Sequence, residues 1–219
     1  MTTKSLVLPV SAEIGNVSAE YLLPEDCSCI IVLAHGAGAG MNHTFMVTLS
    51  NALALKGIGT FRFNFPFMEK KKPRPDTPAV AHQAIAAAVA KAQQLFPSLP
   101  LFVAGKSFGG RMSSQYLSEY KNAAVKGTIF YGFPLHPAGK PSTDRAEHLK
   151  LVKQPMLFLQ GTKDALATWE LIEPVCKSLK RATLVKIEGA DHSFKAGKTD
   201  TMALLVAATE EWIKKKLKH

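Results

Sequence analysis

The sequence predicts an α/β protein built on a mostly parallel, eight-stranded sheet with helices on both faces and a minimal cap. Three observations carry that prediction. Short apolar runs alternate with longer amphipathic segments almost from end to end, the pattern of repeated strand–helix units. The run "CIIVLAH" (29–35) is β-branched and uninterrupted, as expected of a strand covered on both faces. Glycine-rich turns, "HGAGAG" and "GKSFGG", follow two such runs and precede helical patterns, which marks tight strand-to-helix connections.

Taken in order, strands are expected at 4–11, around 19–23, and at 29–35, 59–65, 99–105, 125–132, 155–161 and 181–188. Helices are expected at 43–57, closed by Gly57, and at 77–96, with Thr77 as N-cap and Pro78 in the first turn. Further helices fall at 107–121, 167–179 and 200–217, with a short one near "TDRAEHLKLV" (143–152). The last sets Met202, Leu205, Val206, Trp212 and Ile213 along one face. The stretch "FPFMEKKKPRPD" (65–76) reads as an irregular basic loop from residue 66 on. The connection between the sixth and seventh strands is too short for a large cap domain.

The length, 219 residues, suits one domain spanning 1–219. Apolar content of 47% with 20% charged residues excludes wholesale disorder. No apolar run approaches the about eighteen residues needed to span a bilayer, and "MTTKSLVLPVSAEIG" has too short an apolar stretch for a secretion signal. Cys27, Cys29 and Cys176 cannot all pair, so a reducing, cytoplasmic setting fits best. Cys27 and Cys29 lack the neighbours that would complete a metal site. The net charge of +10 is concentrated in "EKKKPRP" and "KKKLKH". Without zinc-finger spacing, basic–aromatic interleaving or a basic helical stripe, it reads as a solvated surface rather than a nucleic-acid or membrane partner site.

Gly105-Lys106-Ser107-Phe108-Gly109 carries the chemistry. A serine on a very sharp turn between strand and helix needs neighbours two before and two after that are nearly free of side chain. The helix N-terminus beneath it favours developing negative charge. The loop "LAHGAGAGMNH" (33–43) brings backbone N–H groups to the same edge. The expected oxyanion donors are the N–H of Phe108 and that of Ala37, with Gly38 beside it. The loop is neither a dinucleotide fingerprint nor a P-loop, since the glycine spacing and the terminal Lys-Ser/Thr are wrong. A serine is inert until a histidine takes its proton and a carboxylate orients that histidine. Asp164 in "LQGTKD" and His192 in "GADHSF" follow the seventh and eighth strands, on the same sheet edge as Ser107. Asp191 is the rival acid, but adjacent side chains rarely face each other. His136, Arg111 and Met41 are candidates for the substrate pocket, while His35 and His43 are expected to hold the glycine loop. The basic loop at 70–74, with Arg62 and Arg111, suggests an anionic substrate.

The segments "LAHGAGAGMNHTFM", "FRFNFPFMEKKKPRPD", "GKSFGG", "YGFPLHPAGKP", "LQGTKD" and "GADHSFK" together resemble a small α/β-hydrolase family. Its bacterial members are mostly labelled predicted hydrolases, and it is related to dienelactone hydrolases. Animal relatives include a subunit of a histone-acetyltransferase complex. The resemblance spans about residues 28 to 215. It implies the α/β-hydrolase fold and triad positions at Ser107, Asp164 and His192, but no substrate. Phe67 stands where the family suggests tyrosine, and Lys106 where arginine is common. The expectation is a serine hydrolase acting on a small ester or thioester without metal or organic cofactor. The alternative is a non-catalytic, hydrolase-like binding module.

Overall fold

The computed structural model describes residues 1–120 and 122–218. The expected helix end at 121 and His219 of the basic tail lie outside the described residues. Eight strands form one sheet: β1 (Thr2–Ser11), β2 (Gly15–Leu23), β3 (Cys29–Ala34), β4 (Ile58–Phe63), β5 (Leu101–Lys106), β6 (Val125–Tyr131), β7 (Met156–Gly161) and β8 (Ala182–Ile187). Their order is β1-β2-β4-β3-β5-β6-β7-β8. β1, β2 and β4 pair antiparallel, and from β4 through β8 every pairing is parallel.

Two helical layers cover this sheet. On one side lie α1 (Thr44–Ala54) and α6 (Thr201–Leu217); on the other lie α3 (Pro78–Leu95), α4 (Phe108–Glu119) and α5 (Trp169–Ser178). Period two decides which side chain meets which layer. In β3 every residue is buried: Ile30, Val32 and Ala34 join the core under α3 and α4, whereas Cys29, Ile31 and Leu33 join the core under α1 and α6. An unbroken apolar strand is therefore what two covering layers require.

Several expectations need correction or refinement. Residues 66–69 are not irregular: Pro66–Glu69 forms the short helix α2, with Pro66 at its start, where a missing N–H costs nothing. That turn carries the Glu69 carboxylate back to β2, where it accepts from the Ser18 N–H at 3.0 Å and the Ser18 hydroxyl at 2.9 Å. The first long helix ends at Ala54 rather than 57, because Gly57 sits at φ +72 in the turn beyond it. Thr77 is the N-cap of α3 with Pro78 in its first turn, as expected, though the Thr77 side chain makes no cap bond. The short helix of the β6–β7 connection is a 3-10 helix, Asp144–Leu151.

β3 has β4 on one side and β5 on the other, so chain connections leave it in opposite directions. A crevice opens outside the carboxyl ends of the strands at such a switch point. The loops after β3, β5, β7 and β8 all emerge there.

Candidate active site

Ser107 lies between β5 and α4, as the N-cap residue of α4, with φ +51 and ψ −115. A non-glycine residue in that region stores about 1–3 kcal/mol of strain and persists only when its surroundings over-determine it. Here the Ser107 N–H donates to the Tyr131 carbonyl at 3.3 Å and its carbonyl accepts from Arg111 N at 3.1 Å. The flanking glycines permit the turn by close approach. A methyl on Gly105 would lie 2.2 Å from Gly110 N, and one on Gly109 would lie 2.5 Å from the carbonyl oxygens of Ala34 and His35.

The three candidate triad side chains meet at this edge. His192 Nε2 lies 2.8 Å from Ser107 Oγ, and His192 Nδ1 lies 2.8 Å from Asp164 Oδ2. Asp164 is almost fully buried, and it receives two further donors. Gln160 Nε2 donates to Oδ2 at 2.7 Å and the Leu166 N–H donates to Oδ1 at 2.8 Å. An ionised, acceptor-only carboxylate requires the proton on His192 Nδ1, which leaves Nε2 to accept from the serine hydroxyl. Asp191 is excluded as the acid, because its Oδ1 accepts the backbone N–H groups of Ser193 and Lys195 inside its own loop.

The loop after β3 supplies the opposite wall. His35 is fully buried, and burial pushes its pKa down to about 4. The neutral ring accepts from the Phe65 N–H at 2.9 Å through Nε2, while Nδ1 lies 2.7 Å from the Gly36 carbonyl. It thereby ties the ends of β3 and β4 together. The rings of Phe65 and Phe67 pack against it at centroid distances of 5.0 and 5.7 Å, and the Phe108 ring packs on those two phenylalanines at 5.2 and 5.9 Å. His43 caps α1, accepting from Phe45 N at 3.3 Å. Among the described residues, neither the Phe108 N–H nor the Ala37 N–H has a hydrogen-bond acceptor. Ala37 and Gly38 line, with Ser107 and His192, a cavity of about 400 Å³ whose other walls include Phe45, Met46 and Leu166.

The three pocket candidates lie elsewhere. His136 is buried, with Nε2 3.0 Å from Thr168 Oγ1 and Nδ1 2.9 Å from the Pro137 carbonyl, so it joins two loops behind the cavity wall. Met41 is buried and held through its backbone: its N–H donates to Asn64 Oδ1 and its carbonyl accepts from Arg62 Nη1. Arg111, on α4, is not among the cavity walls, and burial and the neighbouring Arg145 lower its pKa. The residues expected to bind an anion do not line the cavity, whose described walls include a different cation, Lys106. Arg62 is buried against Glu20, and Lys70–Lys72 are exposed outside the cavity lining. Two contributors escaped the sequence reading, Gln160 and Lys106. The signal for Gln160 was a polar residue in the otherwise apolar "MLFLQG".

A serine at a sharp β5–α4 turn, with histidine and aspartate from the loops after β8 and β7 of such a sheet, defines the α/β-hydrolase fold. Residues 28–214 match the family described as Alpha/beta hydrolase domain, and the chain belongs to that family. Solved structures agree in fold. An alpha-beta serine hydrolase homologue from Coxiella burnetii shares 23% identity at TM-score 0.77, covering 95% of this chain and 98% of its own. The esterase domain of a Rhodothermus marinus protein shares 17% at 0.75, with 98% and 99% covered. A dienelactone hydrolase from Anabaena variabilis shares 16% at 0.76, with 98% of each covered.

Proposed function

We propose that this protein is a serine hydrolase that cleaves small carboxylic esters or thioesters with apolar acyl groups. The observation that carries the reading is the continuous relay from Asp164 through His192 to Ser107, with both links at 2.8 Å. Ser107 Oγ attacks the carbonyl carbon as its proton passes to His192 Nε2, and the imidazolium formed faces the Asp164 carboxylate. The oxyanion lies against the N–H groups of Phe108 and Ala37, whose hydrogen-bonding capacity the fold leaves unused. His192 then returns its proton to the leaving alcohol or thiol as the bond to the carbonyl carbon breaks. Water, deprotonated by the same imidazole, attacks the acyl-serine and frees the acid and Ser107.

The acyl preference follows from the cavity. Its size stands at the small end for ligand pockets, and Ala37, Ala39, Phe45, Met46 and Leu166 make its lining largely apolar. Long-chain lipids would exceed it. Reversing the charge of Lys70, Lys71 and Lys72 together is expected to change kcat/KM less than about 2-fold for neutral and carboxylated esters alike, since exposed charges are screened. A selective gain or loss for the carboxylated ester would restore the anionic substrate.

The reading is tested by labelling with a fluorophosphonate probe. Folded wild type is expected to label, while Ser107→Ala and heat-denatured protein do not. A folded wild type that fails to label would remove the hydrolase reading and leave a binding module on a hydrolase scaffold.

A further inference from the structure

Lys106 stands between Gly105 and Ser107 but takes no part in the proton relay. Its stem passes beneath the start of the loop after β3: a methyl on Gly36 would meet Lys106 Cγ at 3.8 Å and Ser107 Cβ at 3.8 Å. Its ammonium ends on the far side of the site, where Nζ donates to the His192 carbonyl at 2.6 Å. Phe45 and Phe194 stack on each other with centroids 5.9 Å apart, and Nζ lies 5.9 and 5.3 Å from their rings. One side chain therefore reaches from the oxyanion loop to the histidine loop.

The charge here is offset by the two rings, the His192 carbonyl and the longer-range pull of Asp164 and Asp191. Among the described residues no carboxylate forms an ion pair with Lys106, and holding a half-buried ammonium at the cavity wall without one carries a desolvation cost. Burial pushes its pKa down to about 8, against the opposing pull of Asp164 and Asp191, so it is still largely protonated at neutral pH. A methionine would fill the same space without that cost. The lysine must then do something that an apolar chain cannot.

The histidine loop shows what that is. Its internal hydrogen bonds are local: Asp191 binds Ser193 and Lys195, Phe194 N donates to the Asp191 carbonyl, and Thr201 Oγ1 donates to the Phe194 carbonyl. Lys163 N to the Ala190 carbonyl and His192 Nδ1 to Asp164 join the loop to the one after β7, but none of these bonds runs to the strand and turn that carry the nucleophile. Among the described residues, the hydrogen bonds joining residues 105–111 to this loop are Ser107 Oγ to the imidazole and Lys106 Nζ to the His192 carbonyl. The first is made and broken in each proposed turnover, so the second is the standing tether.

We propose that Lys106 is a positioning residue whose ammonium holds the backbone of His192, and with it the imidazole, at proton-transfer distance from Ser107. The proposal rests on the hydrolase reading for its kinetic consequence, though not for the tether itself. It also gives a physical role to the variable position of the G-x-S-x-G turn.

Lys106→Met and Lys106→Arg separate this role from packing and from substrate binding. In Lys106→Met, kcat for a small neutral ester and the rate of fluorophosphonate inactivation are both expected to fall about 10- to 100-fold, with KM within about 2-fold. Lys106→Arg, which keeps a charged donor, is expected to recover to within about 3-fold of wild type. Amide hydrogen exchange across residues 191–195 is expected to quicken about 10-fold in Lys106→Met but not in Lys106→Arg. Wild-type rates and exchange in Lys106→Met overturn the tether, and a change in KM alone reassigns Lys106 to substrate binding. If wild type never reacts with the probe, the hydrolase reading falls, while the exchange measurement still decides the tether.

Discussion

Asp164→Asn is expected to lower kcat/KM for a small ester about 10,000-fold, against about 1,000,000-fold for Ser107→Ala. The reason lies in how many donors converge on one buried carboxylate. Oδ2 faces His192 Nδ1 and Gln160 Nε2, and Oδ1 faces the Leu166 N–H. Asparagine offers one oxygen and one NH₂ group. With its oxygen toward Leu166, the NH₂ faces His192, which must present a bare Nδ1 and carry its proton on Nε2. That tautomer cannot accept the proton of Ser107. With the amide reversed, the NH₂ points at the Leu166 N–H, and a buried donor is left unsatisfied at a cost of about 1–3 kcal/mol. The double variant is expected to be no slower than Ser107→Ala, because residues that act as one unit lose their effect together. Steady-state kinetics on the three variants, with thermal unfolding to register the stability loss, measures this. Asp164→Asn activity within 10-fold of wild type would show that the carboxylate does not orient the base.

What could be read from the sequence follows the range of the forces involved. β3 and β7 were legible because a strand covered on both faces must be apolar throughout, and "CIIVLA" and "MLFLQG" are nearly so. Ser107, Asp164 and His192 were legible as strand-end residues, because parallel strands put all such positions on one edge. The hairpin of β1 and β2 was less so. It lies at the sheet margin with β1 largely exposed, and the weak pattern concealed that β2 begins at Gly15. Helix α2 spans four residues, too few for any period to register. That His136, Arg111 and Met41 stand outside the cavity lining was hidden for a different reason. A loop residue near the correct strand end can point toward the cavity or away from it, and only tertiary packing decides. Lys106 was passed over because its partner, the His192 carbonyl, lies 86 residues on, and nothing local marks a backbone acceptor.

Gly109→Ala is expected to lower Tm by about 6–12 °C, the equivalent of about 3 kcal/mol in a domain of this size. Helix propensity alone gives the opposite sign. Gly109 lies in the first turn of α4 and does not require a left-handed backbone, so alanine ought to stabilise by up to about 1 kcal/mol. Contact decides against propensity. The new methyl would sit 2.5 Å from two carbonyl oxygens, those of Ala34 and His35, and 2.7 Å from the Ala34 carbonyl carbon. These are backbone atoms at the end of a central strand, paired to β4 and β5, so they cannot swing aside as a side chain tip would. Relief requires α4 to move away from β3. That movement would also carry the Phe108 N–H away from the Ala37 loop, so the rate of the proposed ester hydrolysis is expected to fall more than the folded fraction does. Gly38→Ala is the control, because a methyl there meets nothing within 4 Å, and its Tm is expected to stay within about 1 °C of wild type. Equal melting temperatures for the two variants would mean that α4 is not held against β3 by the absence of a side chain. The glycines of the elbow would then serve only the backbone turn at Ser107.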